Sequence, residues 1–155
     1  GPGVKVGVLV VSSKVLGGEP DPCRTILEES LTNHRMSLVC YEVVPDDRQE
    51  VRTRLQHICE KVGPAVLLTL GGTGVRPTDW VPEATRDVIE KEIPGIGEAM
   101  RAESLKKVRT AMLSRSTAGI KGRTLIINLP GSPKGMKENF ESVAPLLEHM
   151  VEKIS

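Results

Sequence analysis

Two stretches of this chain place glycines directly after an apolar run. Leu68–Asp79 reads LTLGGTGVRPTD, and Leu129–Gly135 reads LPGSPKG. Glycine lets the backbone reach positive φ and come close to a ligand. Successive backbone N–H groups in such a loop point at anions such as phosphate, helped by a neighbouring helix N-terminus. Tight turns are the other reading of such glycines; two loops at one sheet edge, each with polar partners, favour a ligand. Asp79 adds a carboxylate, which repels phosphate unless a cation lies between them. Mg²⁺ fills that role in nucleotide sites, held by one or two carboxylates and phosphate oxygens. Asp46 offers a further oxygen, caps the helix that follows it, or does both. Lys134 either faces phosphate or is solvated. Ser114 and Arg115 lie in AMLSRSTAG, where the arginine fork grips an anion or makes a surface ion pair.

Neither loop carries a common phosphate signature. GxxxxGK[ST] is absent, and Gly71-Gly72-Thr73-Gly74 is not GxGxxG and does not open the first strand–helix unit. A P-loop ATPase and a dinucleotide dehydrogenase are both disfavoured.

The positioning elements follow from periodicity. Val4–Ser12 is β-branched and nearly continuous, as in a strand buried on both faces. Ser13–Pro22 reads as a loop and Arg24–His34 as a helix. Ser37–Val44 is a second strand. Asp46 or Asp47 then caps a helix reaching Val62, and Ala65–Leu70 is a third strand. This alternation predicts a parallel sheet with helices on both faces, a three-layer α/β/α sandwich. Further on, Pro82–Glu92 and Ile96–Ser104 read as helices and Arg123–Leu129 as a strand. The C-terminal stretch reads as a helix that Pro145 kinks or breaks. Ligands of such sheets bind beyond the strands' carboxyl ends, where both glycine loops emerge.

Composition narrows the functional class. The 155 residues suit one domain, read as 4–155, with Gly1-Pro2-Gly3 taken as a cleavage scar. Lys plus Arg number 21 and Asp plus Glu number 20, a net charge of +1. With aromatics at 2%, neither a basic field nor a stacking surface recommends nucleic acid. No apolar run reaches the roughly 18–20 residues of a membrane-spanning helix. Cys23, Cys40 and Cys59 lack metal or disulfide spacing and read as small buried hydrophobes in a reducing cytoplasm. His34, His57 and His149 read as structural or exposed.

LTLGGTG…D..PEAT, followed by AMLSR…AGI.G.TLIINLPGSPKG, resembles the molybdopterin adenylyltransferase family. That family includes bacterial MogA and MoaB and the G domains of gephyrin and plant molybdenum insertase. The resemblance covers nearly the whole chain. It implies a trimeric, in some members hexameric, three-layer α/β fold, with a molybdenum insertase as a partner. It also implies Mg²⁺-dependent transfer of AMP from ATP to the terminal phosphate of molybdopterin. By the same resemblance, Gly71, Gly72, Thr73 and Gly74 cradle phosphate. Asp79 and Asp46 are catalytic and hold Mg²⁺, with Glu83 beside them. Pro130, Gly131 and Ser132 surround the nucleotide, and Ser104, Ser114 and Arg115 lie around the pterin and nucleotide. The chain departs from the family pattern at Ser13, where an aspartate is common, at Arg24, a glycine position, and at Thr78, a basic position. These departures leave a second expectation open, a catalytically weak pterin-binding or scaffold protein of the same fold. They also leave open whether Arg24 blocks the pterin or binds its phosphate.

Overall fold

The computed structural model describes residues 3–155. Gly1 and Pro2, most of the expected scar, lie outside the described residues. The elements run β1 (Lys5–Val11), α1 (Ser13–Leu16), α2 (Arg24–Asn33), β2 (Ser37–Val44), α3 (Arg48–Lys61) and β3 (Val66–Leu70). They continue with α4 (Val81–Val88), β4 (Lys91–Glu92), α5 (Pro94–Leu105), a 3₁₀ turn (Arg109–Leu113), β5 (Ala118–Lys121), β6 (Thr124–Leu129) and α6 (Pro133–Ile154).

One six-stranded sheet in the order β2-β1-β3-β6-β5-β4 forms the middle layer. The first four strands are parallel neighbours, and β5 and β4 add an antiparallel edge. Alternate residues of β1 face opposite sides, as strand geometry requires. Val6, Val8 and Val10 pack with Leu27 and Leu31 of α2, Met100 of α5 and Phe140 of α6. Leu9 and Val11 pack with Val51, Leu55 and Ile58 of α3 and with Val81, Ala84 and Val88 of α4. The expected three layers are therefore present, with aliphatic side chains dominating both cores.

The second half departs from the expectation. The Pro82–Glu92 helix ends at Val88, and Lys91–Glu92 instead pairs with Gly119–Ile120. Such a short strand carries no periodicity to read. β5 was likewise missed, its four residues lying inside a polar, glycine-bearing stretch. Ser13–Leu16 forms one helical turn where a loop was expected. α6 runs through Pro145 without a break. Pro145 lies on the exposed face, where water can serve the carbonyl that loses its partner. Only Cys23 is fully buried; Cys40 and Cys59 are half-buried, and all three are free thiols. His34 contacts the Glu141 carboxylate at 2.6 Å, and His57 and His149 are exposed. No helix among the described residues is long and apolar enough to cross a membrane.

Candidate active site

A cleft of about 660 Å³ opens beyond the carboxyl ends of β1, β3 and β6. Its lining includes Ser12 after β1, the Glu19–Cys23 loop, Asp46 after β2, and Gly71–Val75 after β3. Arg76, Thr78, Asp79, Gly131 and Ser132 complete the part that concerns chemistry. The parallel strands thus bring loops distant in sequence to one edge.

The glycines are needed first by the fold. Gly71 has φ +100°, and a Cβ there would lie 2.7 Å from the Val11 carbonyl oxygen. Gly72 has φ +68°, and its Cβ would lie 2.5 Å from Cγ2 of Val81. A Cβ on Gly131 would sit 3.1 Å from the Gly71 Cα, so the two loops pack backbone against backbone. Their close packing leaves donors facing the cleft. Among the described residues, the N–H groups of Gly72, Thr73 and Gly74 donate to no protein acceptor. On the second loop, Ser132 caps α6, its hydroxyl accepting from the Gly135 N–H.

Two carboxylates face this cradle. Oδ2 of Asp79 accepts from the Arg76 N–H at 2.9 Å, and the Asp79 N–H donates back to the Arg76 carbonyl at 3.0 Å. Asp46 is fixed by a reciprocal pair. Its Oδ2 accepts from the Ser13 N–H at 3.0 Å, while its own N–H donates to the Ser13 hydroxyl at 3.0 Å. Capping of α3 falls to Asp47, whose carboxylate accepts from the Glu50 N–H. Asp46 is thereby released from the cap role that spacing had left open. Each of Asp46 and Asp79 keeps one carboxylate oxygen free of protein donors among the described residues. No group of three or more His, Cys, Asp or Glu side chains among the described residues is placed to hold a metal. Two hard oxygens without a complete protein cage fit Mg²⁺ that arrives on phosphates and keeps part of its water shell.

Other expected site residues lie outside the cleft lining. Glu83 is on α4, and Arg115 reaches over the rear of the first loop. The Arg115 guanidinium donates through Nε to the Gly74 carbonyl at 2.7 Å, through Nη2 to the Asp79 carbonyl at 2.8 Å, and through Nη1 to Glu83. Burial pushes the Glu83 carboxyl up, but the Arg115 hydrogen bond and charge outweigh it, leaving it below the ordinary carboxylate range. Ser114 bonds to Ser116 beside Arg115. Ser104 accepts from the Asn139 amide between α5 and α6. Pro130 lies just behind Gly131, and Lys134 is exposed on the first turn of α6.

Sequence reading missed Asp21, Lys14 and Arg76, which line the cleft. The Asp21 carboxylate accepts from the Cys23 N–H and from the Tyr41 hydroxyl. Burial, then the Asp21 charge, pushes the Cys23 thiol up to about 11. Arg24 turns away from the cleft, stacked 4.4 Å from the Tyr41 ring centroid and paired with Glu28 at 3.0 Å. The signals that could have found two of them were a cation three residues past the end of β1, Lys14, and one two residues past Gly74, Arg76; Asp21 had only its place in a polar loop to mark it.

A family described as "Probable molybdopterin binding domain" matches residues 7–149. The molybdopterin adenylyltransferase of Helicobacter pylori (strain J99) is 39% identical over 154 residues, covering 97% of this chain and 88% of its own. The molybdopterin adenylyltransferase of Escherichia coli K12 is 36% identical over 143 residues, covering 90% and 73%. The crystal structure of the molybdopterin biosynthesis enzyme MoaB from Thermus thermophilus superposes with a TM-score of 0.91 at 41% identity, covering 97% of this chain and 96% of that one. Sequence, fold and the glycine-lined cleft agree, and the chain belongs to the molybdopterin adenylyltransferase family of molybdenum cofactor biosynthesis.

Proposed function

We propose that this chain transfers AMP from ATP to molybdopterin, giving adenylyl-molybdopterin and pyrophosphate. The observation that carries this reading is the set of N–H groups at Gly72, Thr73 and Gly74 that meet no acceptor among the described residues, with Asp79 at the end of the same loop. An oxygen of the molybdopterin terminal phosphate attacks the α-phosphorus of ATP. The new P–O bond forms as the bond to the bridging oxygen of pyrophosphate breaks. Backbone N–H groups of the first loop orient phosphate oxygens for that displacement. Gly131 and Ser132 close the opposite wall. Asp46 and Asp79 would hold Mg²⁺ through their free oxygens, and the ion would there offset charge on the phosphates and on departing pyrophosphate. Lys14 and Arg76 add positive charge at the cleft wall. A phosphate nucleophile needs no strong base, so neither aspartate is required to take a proton.

The departures at Ser13 and Arg24 do not argue for the scaffold reading. Ser13 holds Asp46 in place, and Arg24 is directed onto Tyr41 and Glu28. Exposed Leu105, Val108, Met112 and Leu113 run along the end of α5 and the turn after it. Such a patch marks an interaction surface, which suits the homo-oligomer, a trimer, that the family resemblance implies. The test is molybdopterin-dependent pyrophosphate release from Mg·ATP, with Asp79→Ala alongside. Release that requires molybdopterin and Asp79 is expected. Molybdopterin binding without release would transfer the reading to the scaffold.

A further inference from the structure

We infer that Arg115 is a positioning residue that holds the phosphate-cradling loop, with Asp79 at its end, in its working shape before any nucleotide binds. This rests on the reading of the cleft as the nucleotide site.

Arg115 grips the loop with both its backbone and its side chain. Its N–H donates to the Thr73 carbonyl at 2.8 Å. Its guanidinium takes the Gly74 carbonyl, the Asp79 carbonyl and the Glu83 carboxylate. Thr73, Gly74 and Asp79 are thus fixed from behind, through their carbonyls. The N–H groups of Thr73 and Gly74 and the Asp79 carboxylate are left to the cleft. Each carbonyl shares its peptide plane with the next N–H, so the hold on Thr73 sets the Gly74 donor and the guanidinium's hold on Gly74 sets the Val75 donor, which also lines the cleft. Only a planar fork reaches several acceptors in one plane, which a lysine ammonium does not do.

Glu83 makes this more than a surface ion pair. Its Oε1 is buried without a hydrogen-bond partner among the described residues, so Arg115 is its main compensation. A partly buried carboxylate left alone is costly, so the guanidinium is retained at this spot. The loop's other internal ties are the Arg76–Asp79 turn and the bond from the Val81 N–H to the Gly72 carbonyl. Neither holds the Thr73 or the Gly74 carbonyl. Without the guanidinium, the Gly74 and Asp79 carbonyls lose their hydrogen bonds, while the Arg115 backbone N–H still holds the Thr73 carbonyl.

The experiment compares Arg115→Ala and Arg115→Lys with the wild type in the full chain. Pyrophosphate release is measured together with emission from Trp80, the sole tryptophan and the residue after Asp79. Misplacement of reacting groups costs on the order of 100-fold, so kcat should fall by about that factor in both variants. Trp80 emission should shift. Added guanidinium, far below unfolding concentrations, should restore both readouts in Arg115→Ala, whereas equal ammonium should not. A folded Arg115→Ala whose kcat stays near wild type, or whose lost kcat and emission ignore guanidinium, overturns the inference. If Arg115→Ala does not fold, Arg115→Lys decides. Wild-type kcat in that variant overturns the inference; reduced kcat with a shifted Trp80 emission upholds it. Should the wild type release no pyrophosphate, the functional reading fails, and the emission response to guanidinium still decides the brace.

Discussion

The two glycine loops sit side by side at one sheet edge, yet they are held in opposite ways. The loop after β6 is built from within. It runs directly into α6, with Ser132 as the cap and the 22-residue helix as its anchor. The loop after β3 has no such helix at its start. Ten residues separate Leu70 from Val81, and side chains from other elements tie that span down. The second loop commits the Gly135 N–H to its own cap, while its Gly131 and Ser132 N–H groups meet no acceptor among the described residues. A loop braced from behind can leave consecutive donors unpaired and turn them toward a ligand. What assigns the phosphate cradle to the first loop is the Asp79 carboxylate at its end, in the same cleft lining.

Breaking the first loop's chemistry should give the largest effect. Asp79→Asn keeps an acceptor for the Arg76 N–H but removes the charge. Pyrophosphate release should drop by about 1,000-fold, equivalent to about 4 kcal/mol of barrier, with an unchanged melting temperature. Stability should fall instead for Gly71→Ala. Strain at positive φ, together with the approach to the Val11 carbonyl, should cost about 3 kcal/mol, read by urea unfolding. In the second loop, Ser132→Ala removes only the cap and should cost about 1 kcal/mol, with modest change in turnover.

The smallest expected effect concerns pH. Glu83 has a lowered carboxyl pKa in the folded chain, so its contribution is present above the unfolded value, about 4.3. It is lost as pH falls through the folded pKa. Its partial exposure limits the contribution to less than about 1 kcal/mol. Melting temperatures of wild type and Glu83→Gln should therefore converge as pH falls below that unfolded value. Parallel curves would mean that the brace on the first loop does not depend on the Glu83 charge.

Much of the first half was legible because each element there carries a strong signal. β1 and β3 are continuous apolar runs, and Val51, Leu55 and Ile58 mark α3 by helical spacing. The edge strands were not legible. Lys91–Glu92 is a strand only because Gly119 and Ile120 lie beside it, a tertiary fact with no local trace. Asp46 and Asp79 stood out because a carboxylate after a strand or beside glycines is a chemical anomaly. The contacts of Arg115 were not, since an arginine in a polar stretch looks the same whether it meets water or three acceptors. The buried Asn128 was passed over for a similar reason. Its amide joins Thr69 on β3 to Thr85 on α4, which no reading of TLIINL reveals.

The backbone contact between Gly71 and Gly131 bears on how such a site can be moved between proteins. The GGTG segment is not a portable cassette. Its shape depends on a carbonyl at the end of β1, on a second glycine that follows a strand far downstream, and on an arginine from a third segment. A graft into another α/β scaffold would need all of these at once, in a four-strand parallel order that brings β1, β3 and β6 together. Recombination that exchanged the two halves of this chain with those of a divergent relative would have to preserve Gly131 opposite Gly71, or lose both walls of the cleft together.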